Sequence, residues 1–245
     1  MSEFNEFDQQ GSVPNRDTGS IISHAFEMYK GIFLYAIVSM IIYVIADSIL
    51  ESLVGFNLWS FGENIRDSDG DISNYRYYYS PGFSLYYSFS GILGALLSPI
   101  YVGLIYMTNK YNNKATIEFS DLFIGYRQNF VNILIYSLIT HVVLRIALAM
   151  CGIPFFLVFP FFLLGYPVLL FENASAIDAM GKAYNIAKDN YGTFFVVSLL
   201  GLILSFCGLL ACCIGVLLTG AFMTTVMYSA YCAYLGKPRQ ITYNK

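Results

Sequence analysis

The stretch Thr193–Leu235, TFFVVSLLGLILSFCGLLACCIGVLLTGAFMTTVMYSAYCAYL, runs for forty-three residues without a charged side chain. A bilayer core about 30 Å thick takes about 20 apolar residues of helix. The run is therefore too long for one crossing and the right length for two. The small residues from Ala211 to Gly215 allow a tight turn there, which divides the stretch into spans at about 193–210 and 215–235. Working back toward the N-terminus, four more apolar runs have spanning length: Pro154–Phe171, Phe130–Met150, Phe83–Tyr106 behind the helix-starting Pro81-Gly82, and Ile32–Leu50. The expected fold is all-α, a polytopic membrane protein of six transmembrane helices in three hairpins.

Composition agrees with lipid as the solvent. Of the 245 residues, 57% are hydrophobic and 12% charged, against about 45–50% and about 25% in soluble domains. The mean hydropathy is +0.58. So little charge could not cover a water-exposed globule, which excludes a soluble enzyme and a disordered chain. Thirteen basic against 16 acidic residues, with no basic run, exclude a nucleic-acid reader. The expected layout is a polar, disordered N-terminal tail over 1–19, one transmembrane domain over 20–236 and a basic C-terminal tail over 237–245. Residues 1–20 have neither the short apolar core nor the small-residue site of a cleavable signal, so the first span is expected to remain in the mature protein.

Lys and Arg orient the bundle, because basic residues collect on the cytoplasmic side. With six spans, the termini share one side with the second and fourth loops. That side holds Arg16, Lys30, Lys110, Lys114, Arg127, Lys182, Lys188, Lys237, Arg239 and Lys245, while the other holds Arg66 and Arg76. Both termini are expected in the cytoplasm.

Three segments share a pattern: an amphipathic stretch, a basic residue, then an aromatic residue opening a span. They are Ile21–Lys30, Phe119–Phe130 and Ala176–Tyr191. In the third, Ile177, Met180, Tyr184 and Ala187 fall at helical spacing, and Ser175 with Asp178 makes a capping box. Such helices suit the plane of the cytoplasmic interface, one before each hairpin, with Lys30, Arg127, Lys182 and Lys188 as anchors reaching the headgroups.

Gly152-Ile153-Pro154 opens a proline-rich span, followed by Tyr166-Pro167-Val168-Leu169-Leu170-Phe171-Glu172, the Ala176–Asn190 helix and an aliphatic hairpin. This series resembles the membrane domain of glycerophosphodiester phosphodiesterase-type proteins and related bacterial integral membrane families of unknown function. The likeness covers roughly residues 85–236. It implies a six-helix protein of the bacterial inner membrane, and it brings no catalytic residues with it. The chain has no room for the phosphodiesterase's own soluble barrel beside six spans.

Charges inside spans are costly and tend to face the bundle interior. Asp47 in the first span and His141 and Arg145 in the third qualify. Counted from the basic residue at each span's start, Asp47 and Arg145 sit at matching depth and could pair. His141 shares a helix face with Arg145. One reading is a polar pathway or proton relay; the other is a structural ion pair or a snorkelling Arg. In the fourth span Pro160 and Pro167, with Gly165 between them, are candidate kinks. Broken helices line substrate sites in transporters, yet kinks also occur in ordinary packing.

The remaining features carry less. Counted from Asp67, a calcium loop would want Gly sixth and Glu twelfth; here Gly70 is fourth and Tyr78 twelfth, so Asp67–Asp71 reads as a solvated acidic turn. Tyr75, Tyr77, Tyr78, Tyr79, Tyr86 and Tyr87 read as an aromatic belt or a sugar or lipid platform. Five cysteines fit no metal spacing, though a disulfide from Cys151 to the last hairpin is geometrically open. No cofactor is implied. The expected role is a non-enzymatic membrane scaffold or accessory subunit, touching membrane lipids and other membrane-protein subunits and no nucleic acid. The alternative is a small transporter or lipid-handling protein using the kinked fourth span and the Asp47, His141 and Arg145 group.

Overall fold

The computed structural model describes residues 11–57 and 81–238, with the side chains of Pro81 and residues 210–214 outside the description. The readings placed on Arg66, Arg76, Asp67–Asp71, Tyr75–Tyr79, Arg239 and Lys245 lie outside the described residues. Within them every regular element is helical, and six helical segments are long and apolar enough to cross a membrane. Their bounds, Thr18–Val54, Gly82–Asn112, Phe130–Ala149, Ile153–Phe171, Tyr191–Leu209 and Gly215–Leu235, contain or closely follow the expected spans.

Helix α1, Thr18–Val54, is 37 residues long, about 55 Å at 1.5 Å per residue. The Asp17 side chain caps its start by accepting from the Ser20 N–H, and Gly55, at φ 67°, closes its end. Its first three turns are the amphipathic segment: Ile21, His24, Ala25, Met28, Tyr29 and Ile32 are buried at helical spacing. The segment continues into the span without a break. The second helix, α2, covers Pro81–Asn112. It packs against α1 on one side and, on the other, against α4, Phe130–Ala149. With the last span it forms the most buried part of the bundle.

Between α2 and α4 the chain makes a 3₁₀ turn, Phe119–Phe123, and a one-turn helix α3, Ile124–Arg127. Lys110 pairs with Asp121, the Leu122 carbonyl lies against Gly103, Gly125 lies against Pro99, and the Tyr126 hydroxyl donates to the Leu96 carbonyl. The contacts therefore move steadily back along α2, over about 21 Å of helix. This corrects the expectation of an in-plane helix, because the segment follows the axis of α2. A Cβ on Gly103 would fall on the Leu122 carbonyl, so the path depends on that glycine.

The fourth span is interrupted. It consists of α5, Ile153–Val158, a 3₁₀ turn, Phe159–Phe162, and α6, Gly165–Phe171. Pro160 removes the N–H that would bond Phe156, and Pro167 removes the one that would bond Leu163. Between them the α-helical ladder cannot be kept. Pro160 marks the break as expected; Pro167 is no second kink, because it occupies the first turn of α6, where an N–H has no helical partner in any case. Gly165 admits the ring of Tyr136, whose hydroxyl donates to the freed Phe162 carbonyl at 2.9 Å. A neighbouring helix thus satisfies the broken backbone.

Helix α7, Ala176–Asp189, is an element separate from the spans on either side of it. The Ser175 hydroxyl accepts from the Asp178 N–H and donates to the Asp178 carboxylate. The inward stripe differs from the expected one. Ala176, Ala179, Ala183 and Ala187 are buried, while Ile177 is 77% exposed and Tyr184 is 46% exposed. Alanines let this helix approach α6 and the 3₁₀ turn more closely than larger side chains would. The last hairpin runs through α8, Tyr191–Phe206, a 3₁₀ turn, Cys207–Ala211, then α9, Cys212–Thr219, and α10, Phe222–Leu235. Gly208 and Gly215 meet backbone to backbone across it, an approach that small residues permit.

The N-terminal segment also differs from expectation. Over residues 11–17 the presumed disordered tail is a strap fixed to the bundle. The Ser12 N–H donates to Asn112 Oδ1 at 2.8 Å, Asn112 Nδ2 donates back to the Ser12 carbonyl at 2.9 Å, and Arg16 Nε donates to the Ala233 carbonyl at 3.2 Å. The reciprocal Ser12–Asn112 pair reproduces backbone pairing with a side-chain amide.

Candidate functional site

Asp47 and Arg145 do not pair. Helix α2 stands between α1 and α4, and each charge bonds to it. Asp47 accepts from the Tyr86 hydroxyl at 3.1 Å to each oxygen. Arg145 donates from Nη1 to the Tyr87 carbonyl at 2.6 Å and from Nη2 to the Ser90 hydroxyl at 2.9 Å. The guanidinium also lies over the Tyr87 ring, 4.7 Å from its centroid. Tyr86 and Tyr87, read from the sequence as belt residues, are the partners of both charges. This overturns the direct ion pair, since depth along a helix gives no information on which helix stands between.

His141 shares the Arg145 face as expected. Its Nδ1 lies 2.8 Å from the Ser137 carbonyl, an acceptor only, so the ring proton sits on Nδ1. Gly94 of α2 leaves room for the other edge of the ring. Beside it, Thr140, His141, Leu144, Arg145 and Leu148 of α4 and Phe155 of α5 bound a half-open groove of about 220 Å³. The groove lies between spans three and four, and α1 takes no part in it.

A second polar group lies at the opposite end of α1 and α2. His24 Nδ1 is 2.8 Å from the Ser229 hydroxyl, and its Nε2 is 3.0 Å from the Ser12 hydroxyl. Asn112 Nδ2 donates to the Tyr228 hydroxyl at 2.9 Å, which donates to Asn109 Oδ1 at 3.0 Å. His24, Asn109, Asn112 and Ser229 are all buried. The network ties the strap, α1, α2 and α10 together. Next to it is a recess of about 450 Å³ whose lining includes Glu27, Asn112 and Lys114. None of this group was singled out from the sequence. The repeated Asn at the end of α2 is the visible signal, but the partners of His24 and Asn112 lie 205 and 116 residues away.

The four interface anchors fare differently. Lys182 is committed to Glu172 in an ion pair of 2.6 Å, and Tyr231 donates to the same carboxylate. Lys30, Arg127 and Lys188 have exposed side chains. Gln128 and Asn129, neighbours of Arg127, donate to the Leu170 and Leu169 carbonyls and so close the C-terminal end of α6.

No protein family, curated protein or solved structure matches the chain.

Among the described residues no three His, Cys, Asp or Glu side chains gather as metal ligands would. Cys151, Cys207 and Cys232 are free thiols, so the disulfide considered for Cys151 is not formed.

Proposed function

We propose that this chain is a non-enzymatic scaffold or accessory subunit of a larger membrane complex, resident in a bacterial inner membrane with both termini in the cytoplasm. One observation carries the reading. The space between spans one, three and four, which a polar route through Asp47, His141 and Arg145 would require, is filled by α2. The charges serve to fasten helices to one another. The resemblance to a membrane domain found attached to another protein's catalytic part points the same way, as does α7, which turns Ile177 outward where a neighbouring subunit could cover it.

The test is co-purification of the full chain in mild detergent, with bound proteins and lipids identified. A stoichiometric protein partner that is lost on Ile177→Asp supports the scaffold. A chain that purifies alone, and that loads or moves a lipid between vesicles, overturns it in favour of the lipid-handling reading. That second reading has its own support in the groove between α4 and α5.

A further inference from the structure

The guanidinium of Arg145 is fastened without being neutralised. Of its five N–H groups, one goes to the Tyr87 carbonyl and one to the Ser90 hydroxyl, both uncharged acceptors. Arg145 forms no ion pair with any described residue, since the carboxylate expected to face it is held by Tyr86. A cation in a membrane span calls for a counter-charge. Three N–H groups remain to meet one, and Arg binds phosphate oxygens in a bidentate fork.

The groove beside it supplies the other half of a site. Thr140, Leu144 and Leu148 follow one another at four-residue spacing along α4, a strip of about 12 Å. Phe155 of α5 forms the facing wall. His141, its Nδ1 proton directed to Ser137 and its ring against Gly94, adds surface and no carboxylate or guanidinium. In a bilayer, hydrocarbon chain is what fills an apolar groove that opens to the side of a span. A phosphate joined to such a chain matches both the cation and the strip.

We infer that Arg145 and the α4–α5 groove bind one phospholipid, its phosphate on the free N–H groups of Arg145 and one acyl chain running from Phe155 along Leu144 and Thr140 toward the bilayer centre. The inference rests on the six spans and stands whether or not the chain is a scaffold.

The full-length protein in mild detergent is titrated with phosphatidylglycerol, and separately with diacylglycerol of the same acyl chains, and bound lipid is counted by native mass spectrometry. One phosphatidylglycerol is retained per chain, roughly tenfold more tightly than diacylglycerol, and Arg145→Gln abolishes the difference. Leu144→Trp fills the groove while leaving Arg145 on α2, and it weakens both lipids, so the inference stays testable if Arg145→Gln fails to fold. Equal retention of the two lipids by the unaltered protein overturns the phosphate contact. Undiminished retention in Leu144→Trp overturns the groove. Lipid retention without any protein partner leaves this inference standing while removing the scaffold.

Discussion

Asp47 and Arg145 hold consecutive residues of one helix: Asp47 takes the hydroxyl of Tyr86, and Arg145 takes the carbonyl of Tyr87. Residues next to each other on a helix point about 100° apart, and a backbone carbonyl lies along the axis, so two flanking helices can be tied to the same turn of α2 without meeting. The charges are matched to uncharged partners at one end of the bundle. The opposite end is tied by His24, Asn112 and Tyr228.

This geometry sets the coupling between the two charges. In a double-mutant cycle, Asp47→Ala and Tyr86→Phe interact by about 1.5–3 kcal/mol, the range for a hydrogen bond to a charged group. Asp47→Ala and Arg145→Ala add to within about 0.5 kcal/mol. Unfolding in mild detergent measures both. A stronger coupling between the charges than between Asp47 and Tyr86 would restore the direct ion pair.

Two glycines should respond with opposite sign. Gly103→Ala drives a methyl into the Leu122 carbonyl and loses about 1–3 kcal/mol, as overpacking does. Gly181, within α7, has nothing within 4 Å of the position a Cβ would take. There Gly181→Ala gains about 0.5–1 kcal/mol through helix propensity and a less mobile unfolded chain. Thermal unfolding of the two variants under one set of conditions is sufficient; destabilisation by both refutes the placement of α7.

The strap gives a proteolytic readout. Arg16 is held by the Ala233 carbonyl and stacks on Tyr234 at 5.4 Å. Asn112→Ala removes both bonds to the Ser12 backbone, so local opening becomes easier and trypsin cleaves after Arg16 roughly tenfold faster. Cleavage at an unchanged rate would show that the strap is held elsewhere.

Cysteine labelling tests the orientation. Cys151 is exposed at the turn between α4 and α5, and Cys232 is buried in α10. In single-cysteine variants, a membrane-impermeant maleimide added to intact cells labels Cys151 and leaves Cys232 unlabelled until the protein is denatured. Labelling of Cys151 only after permeabilisation would reverse the assignment of sides.

The candidate groups divide along the same line. His141 and Arg145 lie four residues apart, and their shared face follows from helical periodicity alone. The Pro160 break is equally local, because a missing N–H acts on its own turn. What joins these features to the bundle is remote. Gly165 is a seat for Tyr136, and the buried network on His24 is assembled from four separate segments. The stripe of α7 was misread for a related reason: hydrophobicity favours Ile177 and Tyr184, whereas close approach to α6 favours alanine.

Hydrophobic length and residue type were enough to set the number of crossings and their limits, because the transfer of a helix into hydrocarbon is summed along the chain and depends little on its neighbours. Which helix separates which, and therefore whether Asp47 and Arg145 could meet, was decided only in three dimensions. Inside a membrane, helices choose neighbours by the fit of small residues and by single hydrogen bonds. Those contacts join residues up to 205 positions apart, and no local pattern in the chain encodes them.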